Sequence, residues 1–118
     1  MKSIIIIGGG PAGTSAAIVL LKQGYDVTLV DKSSFPRDKL CGGLLTGRAK
    51  RVYHEIFETD FEQSFETLAT GAGVFNGSEL VNEVNQSSEW FLTERFDFDY
   101  FLLKRAQDEG LKTYLNDK

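Results

Sequence analysis

The sequence is poor in the residues that build covalent or metal frameworks: it has one cysteine and one histidine in 118 residues. The lone cysteine, Cys41, excludes a disulfide within the chain and points to a reducing, cytoplasmic compartment. Cys41 and His54 together are too few for a cysteine- and histidine-based zinc cluster. Positive charge is not in excess either, with 13 Lys and Arg against 17 Asp and Glu and a net charge of -4. Such a balance leaves no electrostatic footprint for nucleic acid and no basic stripe for an anionic bilayer. Long apolar runs are also missing. Ile4 to Ile7, following Met1-Lys2-Ser3, is far too short for a signal h-region or a membrane span, so only peripheral membrane contact stays open.

What is present reads as an ordinary globular domain, with 42% hydrophobic and 25% charged residues. Ile4 to Ile7 is a continuous β-branched run, expected to be a central parallel strand buried on both faces. Gly8 ends it, and Pro11 suits the first turn of a helix, where its missing N–H costs nothing. Residues 11–23 are expected to be helical, with Ala12, Ala16, Ala17, Val19 and Leu20 as packing positions and Gly24 as the stop. Val27 to Val30 follows as a second buried strand ending at Asp31, which completes a right-handed βαβ unit.

Residues 33–47 form a glycine-containing loop without a periodic face. A helix is expected over 48–57, with Val52, Ile56 and Phe57 on one side. Residues 59–66 stay open between a continued helix, marked by Phe57, Phe61 and Phe65, and a break at Thr59-Asp60. From 67 to 93 three short antiparallel strands are expected, with turns near Asn76-Gly77 and Asn85 to Ser88. A last helix over 97–109, its N-terminal end favoured by Asp97 and Asp99, stops at Gly110, and a strand follows over 111–115. The expected class is α/β: a Rossmann-like βαβ with a parallel sheet of strands 4–7, 27–30 and 111–115, and an antiparallel β insertion before the last helix.

Within this frame Gly8-x-Gly10-x-x-Gly13 acquires meaning, because it joins a buried strand to a helix and an acid closes the next strand. Gly8 permits the tight turn, Gly10 lets a pyrophosphate approach the backbone, and Gly13 lets helix and strand pack closely. The helix start offers N–H groups and a partial positive charge to phosphates. Asp31 can accept hydrogen bonds from ribose hydroxyls and would repel a 2′-phosphate, which favours the adenosine half of NAD or FAD over NADP. The bland alternative is that the glycines only shape a turn and Asp31 caps it.

Three segments carry a resemblance that separates FAD from NAD. "GGGPAGTSAA" resembles the start of FAD-dependent oxidoreductases of the p-hydroxybenzoate hydroxylase type. "FPRDKLCGGLLTGRA", 35–49, resembles the Phe-Pro-Arg-x-Lys-x-Cys-Gly-Gly segment of the geranylgeranyl reductase family, with Leu40 where proline is common. "RFDFDYFLLKRAQDEG", 95–110, resembles an Arg-x-x-Phe-Asp helix start found across these flavoproteins. The resemblance implies that Gly8, Gly10, Pro11, Ala12 and Gly13 face the FAD pyrophosphate and that Asp31 and Lys32 hold the adenosine ribose. It also implies Arg37 on the adenine and phosphate side, Cys41 and Gly42 near the flavin ring, and Arg95 against the cofactor. The chain then corresponds to the front third of an FAD/NAD(P)-binding flavoprotein whose substrate domain and later Gly-Asp segment lie beyond residue 118.

Cys41 is the candidate catalytic residue, with Arg37 and Lys39 as neighbours that favour thiolate; its bland reading is a small hydrophobe. His54 is expected on a solvated helix face. Phe35 is either core or a cofactor contact, and Trp90-Phe91 suits an inward-facing strand. The resulting expectation is the FAD-binding segment of a reductase of prenyl double bonds, with NAD(P)H as electron donor and a prenyl lipid or other small molecule as substrate. The rivals are a flavin monooxygenase or halogenase, a non-catalytic dinucleotide module, and an interaction domain without nucleotide. An incomplete sheet also leads to an expectation of marginal stability or self-association.

Overall fold

In the computed structural model, residues 1–59 and 67–118 are described, without the side chains of 67, 70 and 86–89. Strand β1 (Ser3–Ile7), helix α1 (Pro11–Lys22) and strand β2 (Asp26–Val30) form the expected βαβ unit. Strand β3 (Leu44–Leu45) and helix α2 (Gly47–Phe57) follow. Strands β4 (Thr67–Asn76) and β5 (Glu79–Leu92) lead to helix α3 (Arg95–Asp108) and strand β6 (Lys112–Tyr114). A parallel sheet has the order β1-β2-β6, and an antiparallel sheet the order β3-β5-β4.

The parallel sheet corrects the first strand assignment. β2, not β1, is the central strand, and Val27 and Leu29 are fully buried on it. β1 pairs only with β2, and its isoleucines alternate: Ile4 and Ile6 are half-buried, whereas Ile5 and Ile7 are 71% and 88% exposed. A β-branched run signals burial on both faces only where elements cover both, and here helices cover one.

Helix α1 meets the core with part of the face expected, Ala17 being buried and Leu20 half-buried against the core, but not with the rest. Thr14, Ala17 and Ile18 are buried, while Ala12, Ala16 and Val19 are exposed. Positions 14, 17 and 18 share one helical face; a threonine in that stripe hid the phase. Its hydroxyl is satisfied locally, donating to the carbonyls of Gly10 (3.1 Å) and Pro11 (3.2 Å). On α2 the buried pair is Tyr53 and Phe57, stacked with ring centroids 5.1 Å apart; Ile56 is half-buried and Val52 is exposed. Thr46 caps this helix by accepting from the Ala49 N–H at 3.2 Å. The helix ends where Glu58 adopts a left-handed conformation (φ 51°), so the chain breaks just before Thr59. The remaining alternatives for 60–66 lie outside the described residues.

The insertion is one long hairpin, not three short strands. It reverses at Asn76-Gly77, as expected, with Gly77 at φ 62°. Asn85 to Ser88 does not reverse the chain. The register shifts there instead, from Ala69 opposite Trp90 to Gly71 opposite Asn85, so polar residues that read as a turn mark an irregularity within β5. The loop expectation for 33–47 needs one amendment, since Leu44 and Leu45 pair with Leu92 and Phe91. One core joins the layers: Ile18, Leu29, Phe57, Phe91, Leu102 and Leu103 are its largest fully buried apolar side chains.

Candidate cofactor site

The β1–α1 turn is built by glycines at two positions. Gly8 holds φ at 107°, a conformation that L side chains rarely adopt. At Gly13 a Cβ would strike the Gly8 carbonyl oxygen, so its absence lets helix and strand close on each other. The turn's donors are then divided. Gly8 N–H donates to the Val30 carbonyl (2.8 Å) and Gly9 N–H to Asp31 Oδ2 (2.6 Å). The first intrahelical bond runs from Thr14 N–H to the Gly10 carbonyl (3.0 Å). The N–H groups of Ala12 and Gly13 precede it and are therefore free of the helix ladder. No side chain caps this end.

These groups open onto a cleft of about 510 Å³. Gly8, Gly10, Pro11, Ala12, Gly13, Asp31, Lys32, Arg37 and Arg95 all line it, so the structure gathers residues from three separate segments around one space. Asp31 has a second duty there. Besides Gly9 N–H, its carboxylate accepts from Ser33 N–H (2.8 Å at Oδ1), and it ties the glycine turn to the loop after β2. Each carboxylate oxygen retains a lone pair for a further donor. Phe35 fills the space under Gly9: its ring would lie 3.0 Å from a Cβ there, and the Arg37 guanidinium stacks 4.7 Å above the ring centroid.

Arg37 and Arg95 meet on Asp99, which the sequence placed at a helix start, as a favourable charge and within the Arg-x-x-Phe-Asp resemblance. Asp99 is fully buried. Arg95 donates to both its oxygens, Nε to Oδ1 at 2.7 Å and Nη2 to Oδ2 at 2.9 Å. Arg37 Nη1 lies 2.8 Å from Oδ2 as an ion pair without aligned hydrogen-bond geometry. The i,i+4 spacing of Arg95 and Asp99 was the signal available in the sequence.

Cys41 and Gly42 lie outside this cleft. Cys41 is exposed and lines a second, apolar cleft of about 250 Å³ with Leu45, Val52, Tyr53, Phe98 and Leu102. Its thiol is held below the ordinary cysteine value, first by the Gly43 N–H (3.4 Å to Sγ) and then by Arg95. Arg37 and Lys39, the neighbours expected to favour thiolate, are not the cause. Of the two glycines, Gly43 carries the constraint. It has φ 73°, a Cβ on it would strike the Thr93 carbonyl, and it accepts from Thr93 N–H at 2.9 Å. Gly42 is exposed with open space beside it. Pro11 and Arg95 border both clefts. His54 is exposed, as expected of a solvated helix face.

Among the described residues no helix is long and apolar enough to cross a membrane, and no group of three or more His, Cys, Asp and Glu forms a metal site.

Comparison with known proteins fits this geometry. The chain matches the family described as pyridine nucleotide-disulphide oxidoreductase over residues 2–117. It is 31% identical over 119 residues to a flavin-dependent halogenase of Armillaria mellea, covering 95% of this chain and 23% of the relative. It is 50% identical over 46 residues to a menaquinone reductase of Mycolicibacterium smegmatis, covering 39% of this chain and 11% of the relative. The tetrameric form of 2-methyl-3-hydroxypyridine-5-carboxylic acid oxygenase superposes with a TM-score of 0.83 at 27% identity, over 98% of this chain and 32% of that one. The chain spans about a quarter of the length of the curated relatives that it matches end to end. FAD is the cofactor that this fold and its flavin-dependent relatives imply, and a side-chain-free turn, free helix N–H groups and two arginines suit its diphosphate. The chain belongs to the pyridine nucleotide-disulphide oxidoreductase family.

Proposed function

We propose that this chain is the FAD-binding part of a flavin-dependent oxidoreductase of the monooxygenase or halogenase kind. The supporting observation is the convergence of the Gly8–Gly13 turn, Asp31, Lys32, Arg37 and Arg95 on one cleft at a helix N-terminus. In this reading Ala12 and Gly13 N–H bind the diphosphate, Arg37 and Arg95 neutralise it, and Asp31 and Lys32 hold the adenosine ribose. FAD, when bound, supplies reversible two-electron transfer, and the protein positions it. Likeness over almost the whole chain to a flavin-dependent halogenase and to an oxygenase favours oxidative chemistry. Prenyl reduction, the first expectation from sequence, becomes the second reading.

That second reading keeps one observation in its favour, the short match to a menaquinone reductase together with the Cys41-Gly42-Gly43 segment. In it Cys41 lies near the flavin ring and assists protonation of the substrate, with NAD(P)H as donor. Loss of turnover in Cys41→Ala of the polypeptide that includes the substrate domain selects the reductase; unchanged turnover selects the oxidative enzyme.

Titration of the chain with FAD, followed by flavin fluorescence, tests the shared claim. Saturable binding that ADP displaces is the expected result. No binding, or binding that ADP leaves untouched, removes the cleft as the cofactor site.

A further inference from the structure

The wall of the phosphate cleft depends on a group that does not itself line it. Asp99 is fully buried, on α3 four positions after Arg95. It takes two hydrogen bonds from Arg95 and an ion pair from Arg37. The two arginines come from distant parts of the chain, and their side chains are only 18% and 16% exposed. Both border the cleft, and Arg37 Nη2 would lie 3.7 Å from a Cβ on Gly10. Two guanidinium groups at one carboxylate repel each other when that carboxylate is removed. Each guanidinium has five N–H donors, and the contacts to Asp99 use only some of them, leaving others for a second anion.

We propose that Asp99 is a positioning residue that sets Arg37 and Arg95 as one paired clamp for the diphosphate of a dinucleotide. This rests on the reading of the cleft as the FAD site and deepens it. The clamp makes the phosphates, not the nucleoside, the part of the ligand whose recognition depends on Asp99. It also fixes a sign. Asp99→Asn raises the local positive charge by one unit, so simple attraction predicts tighter anion binding. Positioning predicts the reverse, because a buried arginine without its carboxylate turns toward water.

The probes are ADP and adenosine, with affinities measured by calorimetry on wild type and Asp99→Asn. Their ratio isolates the diphosphate contribution. In Asp99→Asn the ratio is expected to fall about tenfold, the loss of one charge-assisted hydrogen bond, with adenosine affinity unchanged. Should Asp99→Asn fail to fold, Asp99→Glu carries the test, since it keeps the charge but displaces the carboxylate that sets both arginines; its ratio must fall likewise with adenosine unchanged. A ratio that stays constant or rises overturns the proposal and leaves the cleft as a nucleotide site. Equal weakening of both ligands, the mark of a merely structural residue, also overturns it. Failure of wild type to bind either FAD or ADP overturns the underlying reading as well.

Discussion

At the scale of the residue, Gly13, Cys41 and Asp99 each make a separate physical point. Gly13 is the least replaceable, because a methyl group there meets a carbonyl oxygen that the β1–α1 geometry fixes. Gly13→Ala should lower stability by about 1–3 kcal/mol through overpacking, and denaturant unfolding measures it; an unchanged midpoint contradicts the close packing. Cys41 makes a separate prediction. Its pKa is lowered by Gly43 N–H and Arg95, so the pH midpoint of its alkylation should lie below that of an ordinary thiol. Arg95→Leu should move that midpoint upward, and a midpoint that does not respond removes Arg95 as a cause. The roles of Gly8 and Gly13 were legible in the sequence because φ and steric access follow from residue type, whereas Arg37 and Arg95 were singled out by family resemblance. The role of Asp99 was not legible, because a carboxylate in the first turns of a helix reads equally well as a dipole partner, and only the arrival of Arg37 from another loop distinguishes the two.

Elements were legible where local chemistry alone sets them. Pro11, Gly24 and Gly110 bounded helices within a residue or two of their observed ends, and Asn76-Gly77 located the reversal of the hairpin. The role of β1 and the full extent of the core-facing side of α1 were not, since both depend on what packs from outside the element. A tie between β2 and β6 provides a test at this scale. Lys112 Nζ lies 2.9 Å from Asp26 Oδ1. Their hydrogen bond lowers the Asp26 pKa and raises that of Lys112. The Asp26 contribution is complete above its unfolded value of about 3.9 and is lost as pH falls through the lower folded value. The Lys112 contribution is complete below its unfolded value of about 10.4 and is lost as pH rises through the higher folded value. Lys112→Gln should therefore flatten stability against pH at both ends while changing its slope little near neutrality. Melting temperatures from pH 2 to 11 would show it, and identical profiles would remove the pair from the balance.

For the whole molecule, shape is the informative quantity. The Cα radius of gyration is 16.9 Å and the extents are 58 × 30 × 19 Å. A compact domain of this length has a radius of about 13.5 Å. The excess comes from the hairpin, whose residues 71–85 are all exposed, including Val74, Phe75, Leu80 and Val81. An isolated two-stranded ribbon is marginal in water, so limited proteolysis should cut first near Asn76-Gly77; first cleavage within α1 or β2 would contradict this. Together with the open edge of β1 and exposed Ile5 and Ile7, the ribbon leaves apolar surface uncovered. Sedimentation velocity should show concentration-dependent association that Ile7→Lys reduces, whereas a monodisperse wild type would count against it.

The wall shared by the two clefts acts as a ruler. Pro11 and Arg95 line both the glycine-turn cleft and the Cys41 cleft, so under the proposed reading a ligand's reach decides whether Cys41 notices it. If FAD occupies the glycine-turn cleft as proposed, a compound that ends at its second phosphate should leave Cys41 uncovered, while one carrying a ring system beyond it should reach the sulfur. Shielding of Cys41 from iodoacetamide by the full dinucleotide, and not by its adenylate half, would be the mark of that measurement.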